Sequence, residues 1–277
     1  MLKKIIINAD DFGISKGTNI AIIKGSKNGI INSTSIMINV LELNGESKDF
    51  LYNTDIDLGL HLNLTNEYPV SNPKDIDLLV DKNGKFKNGF INLFLLSLIH
   101  PIKFKKQIKI EIKAQIEKYK ALNIKLSHID GHRHVHMIPA IFNVVKQFLK
   151  EYNIPRVRII NENIFYTLKY NKDYSFLFDG GIIKYFVLKF FYYINFYKTD
   201  TYFFSILYTG KMFKDTVKNI KVPQGYKNLE IMIHPNIEGI DKYNDVFDKN
   251  IVSQNRIKEM AMAMDKTILE NIYENNK

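Results

Sequence analysis

The sequence contains no cysteine. Disulfides are therefore excluded, and so is a metal site built on thiolates. Any metal has to be held by histidine, aspartate, glutamate or water. Internal repeats and low-complexity linkers are also lacking, so the 277 residues are read as a single domain, 1–277. The N-terminal run Met1-Leu2-Lys3-Lys4-Ile5-Ile6-Ile7 is basic then apolar, but Asp10-Asp11 interrupts it before it reaches the form of a signal peptide. The expectation is a cytoplasmic protein whose first strand begins almost at once. Zinc fingers, aromatic RNA-binding signatures and recognition-helix patterns are missing too. The net charge of +10 is thus read as a lysine-rich solvated surface, with no nucleic-acid partner.

What is present is enough apolar residue, 45%, to fill a sizeable core. Lys4 to Asn8 is a continuous β-branched run, as in a strand buried on both faces. Ser15 is placed to cap a helix ending near Gly29. Strands are expected over Ile31–Asn39, Asp57–Thr65, Lys125–Asp130, Arg156–Ile160 and Leu229–His234. Helices are expected over Phe104–Asn123, Pro139–Tyr152 and Asn255–Asn271. Residues 66 to 100 read as irregular, with a turn at Asn83-Gly84. Strands alternating with helices imply a parallel sheet in an α/β fold, open or closed into a barrel. Residues 182 to 198, IIKYFVLKFFYYINFYK, are too short and too interrupted to span a membrane. They read first as a buried helix or a lid, and second as an interfacial segment with Tyr and Lys at headgroup level.

The densest chemistry lies in Ser127-His128-Ile129-Asp130-Gly131-His132-Arg133-His134-Val135-His136-Met137, which holds four of the seven histidines. Imidazole is the commonest protein metal ligand and titrates nearest neutral pH. Three further sites accompany it: Asp10-Asp11 after the first strand, His61 inside Gly59–Leu64, and His234 closing Ile231–Ile233. Each acid or histidine falls late in an apolar strand or just after it, where barrel active sites are built. One Asp oxygen with two imidazoles makes an open three-ligand site. Of two adjacent aspartates, one can bind a metal and the other act as a base, although Asp-Asp alone reads more readily as a turn and cap pair. His61 alone reads equally as a core histidine. His132, His134 and His136 cannot all be ligands, so some contact substrate or orient ligands, as Asp130 and His128 also can. His234 is distant in sequence and can supply a separate acid.

The motifs NADDFG, GLHLNLT, SHIDGHRHVHMIP and EIMIHPN, in this order, resemble the YdjC-like carbohydrate deacetylase family (ChbG/HpnK-like) from residue 4 to about residue 262. The resemblance implies a deformed (β/α) barrel of the NodB-like polysaccharide deacetylase type. It implies one divalent metal on Asp11, His61 and His132, with Asp10 as general base and His234 as general acid. His128, Asp130, His136 and Arg158 would stand around the metal or contact substrate. Arg158 reads as an anion-binding group or, at least as readily, as a structural salt bridge. The family implies Mg²⁺, whereas two imidazoles suit Zn²⁺, Co²⁺ or Mn²⁺ better. Two departures from the family pattern are expected: HRH replaces a run of histidines, and a final family strand is expected to be missing.

The expected function is metal-dependent removal of the N-acetyl group from an N-acetylated sugar or glycan intermediate, releasing acetate. The competing readings are an esterase or phosphoesterase on the same metal site, and a non-catalytic glycan-binding protein. The expected partner is an N-acetylated saccharide, with peripheral membrane or lipid-linked glycan contact, a membrane-proximal location and a homodimer left open.

Overall fold

A computed structural model describes residues 2–171, 174–177 and 181–277. The strands are β1 (Lys4–Phe12), β2 (Ser33–Ile36), β3 (Asp57–Leu62), β4 (His128–Gly131), β5 (Arg156–Val157), β6 (Thr201–Phe204) and β7 (Asn228–Ile233). The helices are α1 (Lys16–Asn28), α2 (Gly45–Asn53), α3 (Phe90–Ile99), α4 (Pro101–Lys120), α5 (Pro139–Glu151), α6 (Ile164–Tyr170), α7 (Gly181–Asn195), α8 (Lys214–Val217), α9 (Gln254–Ala263) and α10 (Thr267–Asn275). The strand order is β5-β4-β3-β2-β1-β7-β6. The fold is α/β, of the deformed-barrel type expected.

The chain gathers into two compact units. The first holds the chain up to Asp10, Ser15–Thr34 and everything from Ile159 onward. In it β1 pairs in parallel with β7, Ile5 opposite Leu229 and Ile7 opposite Ile231, and β7 pairs in parallel with β6. Ile5 through Ala9 are buried without a break, so the strand has no polar face to show alternation. Ser15 caps α1 by accepting from Thr18 N–H at 3.2 Å. Asp241 joins this cap, accepting from Ser15 Oγ at 2.7 Å and Gly17 N–H at 3.0 Å.

The second unit holds Asp11–Ile14 and Ser35–Arg158. Here β3 pairs in parallel with β4, and β4 with β5. Helix α4 buries Phe104, Ile108, Ile112, Ile116 and Tyr119 completely, at three- and four-residue steps. Each such side chain stabilises the fold by about 1.5–3 kcal/mol, and Ile112→Ala would remove about 2–5 kcal/mol. Beside that stripe runs a buried polar one. Gln107 accepts from Leu78 N–H, Glu111 from Val70 and Ser71 N–H, and Gln115 from Asn63 N–H. These bonds hold the connection after β3 to the helix, which is why a stretch lacking regular structure is nevertheless fixed.

Helices α3 and α7 are among the places that differ from the sequence reading. Part of the region expected to be irregular, Phe90–Ile99, is α3. Its sequence FINLFLLSLI is apolar at nearly every position, so no amphipathic stripe marks it as a helix. Helix α7 is neither fully buried nor fully exposed. Tyr185, Leu188 and Phe191 are buried, while Ile183, Phe186, Phe190 and Tyr193 lie open. Its lysines turn inward: Lys189 Nζ donates to the Asn161 and Glu162 carbonyls at 3.0 Å, and Lys184 Nζ to Thr209 Oγ1 at 3.2 Å. Among the described residues, no helix is long and apolar enough to cross a membrane.

Candidate active site

The second unit brings together three of the side chains singled out in the sequence. Asp11, next to last in β1, has φ 74°, a left-handed conformation that aspartate adopts more readily than most residues. The turn is closed by Ile14 N–H donating to the Asp11 carbonyl at 3.0 Å. Asp11 Oδ1 lies 3.2 Å from His61 Nε2 and 3.0 Å from His132 Nδ1. His61 sits on β3 and pairs in register with Asp130 of β4, and His132 follows β4 directly. The parallel pairing of two strands thus carries both imidazoles to one place.

Each imidazole is oriented from behind. His61 Nδ1 lies 2.8 Å from Asp130 Oδ1 and 3.1 Å from Ser35 Oγ. A carboxylate at Nδ1 holds the proton there and leaves the Nε2 lone pair for Asp11's side. Asp130 is itself paired with Arg158, Oδ2 to Nη2 at 2.8 Å, and both are fully buried. His132 Nε2 lies 3.0 Å from Asn66 Nδ2. Asn66 is fixed by Asn63, whose Oδ1 accepts from Asn66 N–H at 3.1 Å and whose Nδ2 donates to the Asn66 carbonyl at 2.8 Å. Gln115 of α4 clamps Asn63 in turn, donating to its carbonyl at 2.6 Å.

The remaining histidines of the cluster part company. Arg133 and His134 both take left-handed backbone conformations, φ 53° and 58°, which kink the 3-10 segment His132–Met137. Two such residues in succession cost about 1–3 kcal/mol each, held by the packing of buried His134, Val135, His136 and Met137. His136 Nε2 lies 3.1 Å from the Arg158 carbonyl, which can only accept, so that nitrogen carries the proton. Its ring rests on Gly131, where a Cβ would come within 2.8 Å of Nδ1. His128 rests on Gly59 in the same way, within 2.4 Å, and its Nδ1 meets Ser127 Oγ at 2.8 Å. Both rings therefore require glycine beneath them.

Asp10 and His234 belong to the first unit. Asp10 Oδ1 accepts from Asn8 Nδ2 at 2.7 Å. His234 follows β7, and its backbone N–H donates to Glu259 Oε2 at 2.6 Å, while its Nδ1 stands 3.8 Å from the same oxygen. Glu259, on α9, also accepts from Met212 N–H at 3.0 Å. Burial pushes its carboxyl up to about 7, against the pull of those two donors and Arg256, and the negative charge of Asp10 adds to the rise. The same Asp10 charge acts on Lys184, whose ammonium is drawn down to about 8 by desolvation.

Asp11, His61 and His132 can each bring one ligand atom within 4.8 Å of the others. Two imidazole nitrogens and one carboxylate oxygen form a donor set for a divalent ion of borderline softness, with room for water and substrate. The residues fit such an ion. Sequence reasoning did not find Ser35, Asn66, Gln115 or Glu259. Asn66 stands one residue past the GLHLNLT motif and Gln115 on a buried helix stripe, but Glu259 carries no local signal.

The chain matches the family model described as YdjC-like protein over residues 4–274. A carbohydrate deacetylase of Clostridium beijerinckii is 30% identical over 277 residues, covering 99% of this chain and 96% of that protein. A carbohydrate deacetylase of Brevibacillus brevis is 36% identical over 155 residues, 55% of this chain and 58% of that protein. A chitooligosaccharide deacetylase of Yersinia pestis is 32% identical over 162 residues, 56% of this chain and 59% of that protein. Among solved structures, a candidate cellobiose-phosphate cleavage protein of Enterococcus faecalis superimposes with a TM-score of 0.70 at 22% identity, covering 99% of this chain and 95% of that one, a likeness of fold. With both the family model and one relative spanning nearly all of it, the chain belongs to the YdjC-like carbohydrate deacetylase family.

Proposed function

We propose that this family member is a metal-dependent hydrolase that removes the acetyl group from an N-acetylated sugar or glycan intermediate. The observation that carries the reading is the convergence of His61 Nε2 and His132 Nδ1 on Asp11 Oδ1, with His61 locked behind by Asp130 and Arg158. A divalent ion held by Asp11, His61 and His132 would polarise the acetyl carbonyl and make a water more acidic. Asp10, its carboxylate fixed through Asn8, takes the proton of the attacking water. The water oxygen adds to the acetyl carbon as the C=O π electrons move onto the carbonyl oxygen; collapse of that tetrahedral species re-forms the carbonyl and breaks the C–N bond, and His234 delivers a proton to the departing nitrogen. That proton is needed because an amide anion is too basic to leave. Acetate and a free amino sugar result.

The test is acetate release from a panel of N-acetylated sugars by metal-stripped protein reconstituted with Zn²⁺, Mn²⁺, Co²⁺ or Mg²⁺. Wild type should release acetate only with metal. Asp10→Asn should lose about 10²–10⁴-fold in turnover while its metal content is unchanged. Near-normal turnover in Asp10→Asn sinks the role given to Asp10. Phosphate or alcohol release in place of acetate moves the chemistry from an amide to a phosphoester or ester.

A further inference from the structure

The stretch from Phe90 to Ile110 contains no acidic residue and four lysines. It forms α3 and the first half of α4, which pack on each other within the second unit. At the corner where the helices meet, Ile91, Leu95, Leu98, Ile99 and Ile102 are open to solvent, Ile102 at 86%. An apolar group of this kind on a well-formed helix pair has no role in the core, which Leu93, Phe104 and Ile108 already fill. Beside it runs an open groove of about 450 Å³ lined by Pro101, Ile102, Lys105, Lys106 and Lys109. Lys103 is paired with Asp77 at 2.7 Å. Among the described residues, no carboxylate pairs with Lys105, Lys106 or Lys109.

We infer that this corner docks on an anionic phospholipid surface, with the isoleucines and leucines entering the headgroup boundary and the three lysines meeting lipid phosphates. An apolar tip rimmed by cations is the arrangement that combines burial of hydrocarbon with attraction to anionic lipid. A second copy of the same face is disfavoured, because symmetric pairing sets three lysines that lack carboxylate partners against their own kind. The open face of α7 lacks this rim, since Lys184 and Lys189 are bonded inward. The docking reading stands apart from the deacetylase reading and uses none of its residues.

The experiment is co-sedimentation of the full chain with vesicles of phosphatidylcholine alone and of phosphatidylcholine mixed with phosphatidylglycerol, at low and high salt. Wild type should bind the mixed vesicles, release them in high salt and bind phosphatidylcholine weakly. Lys105→Glu with Lys106→Glu should weaken binding on the order of tenfold or more, because each cation near such a surface contributes roughly fivefold. Leu98→Ser with Ile102→Ser should weaken it as well. All four positions are exposed, and far-UV circular dichroism would verify the fold. Equal binding by wild type and both variants overturns the inference, as does binding lost only in Phe186→Ser with Phe190→Ser on α7. Concentration-dependent dimers abolished by Leu98→Ser with Ile102→Ser, without vesicle binding, would make a second copy the occupant.

Discussion

His61 and His234 both stand beside a carboxylate, yet the two pairs are built differently. His61 is held at 2.8 Å by Asp130, which Arg158 neutralises in full burial. His234 stands 3.8 Å from Glu259, and its side chain is 18% exposed. Asp130 spends its second oxygen on a cation, so it remains a fixed acceptor that sets one tautomer. Glu259 instead grips the His234 backbone, and its carboxyl is pushed up to about 7 by burial. The first arrangement immobilises an imidazole, as ligation requires. The second fixes where the histidine sits through its backbone, with the ring 3.8 Å from the same carboxylate.

The sharpest way to break this contrast is Asp130→Ala. It removes the 2.8 Å Asp130 contact from the buried Arg158 guanidinium, which should cost about 3–5 kcal/mol of stability. It also releases the His61 tautomer, which should weaken metal binding by about 10–100-fold. Urea denaturation and metal titration measure the two. Intact metal affinity in a folded Asp130→Ala protein would deny that Asp130 orients a ligand. His234→Ala should do the reverse, lowering turnover by about 10²–10⁴-fold with metal affinity unchanged.

The pH dependence of stability tests Glu259. Its folded value, about 7, lies above the ordinary 4.5, so folding favours the protonated form. The stability from this group is fully present below the ordinary value and is lost as pH rises through about 7. The change is roughly 3 kcal/mol across that window. Glu259→Gln, though weakened overall by a poorer acceptor for two N–H groups, should flatten this part of the curve in thermal melts between pH 5 and 8. An unchanged slope would mean that another group titrates there. The smallest effect is expected from Asn66→Ala, which removes one bond to His132 and should cost about 0.5–1.5 kcal/mol. Calorimetric metal titration should show a several-fold weaker site rather than its loss.

Much of the candidate site was legible because its residues fall within apolar strands or just after them. Asp11 and His132 follow apolar runs, whereas His61 lies inside one, on the polar side of Gly59–Leu64. The histidine cluster was legible as chemistry but not as geometry. The sequence showed only that His132, His134 and His136 could not all be ligands, whereas two left-handed residues send His132 to Asp11 and His136 to the Arg158 carbonyl. Helix α3 was hidden for the opposite reason, since a segment apolar on all sides has no period to read. Strand β6, Thr201–Phe204, was likewise unmarked, being short and placed after the apolar run of α7.

The sequence by itself determined the strand and helix alternation, the absence of thiolate chemistry and the residues capable of holding a divalent ion, because these depend on composition and local spacing. Tertiary structure alone decided which carboxylate backs which imidazole. Asp130 reaches His61 across 69 positions and Glu259 reaches His234 across 25. Strand pairing and helix packing bring such groups within hydrogen-bond range, and no local pattern encodes that approach.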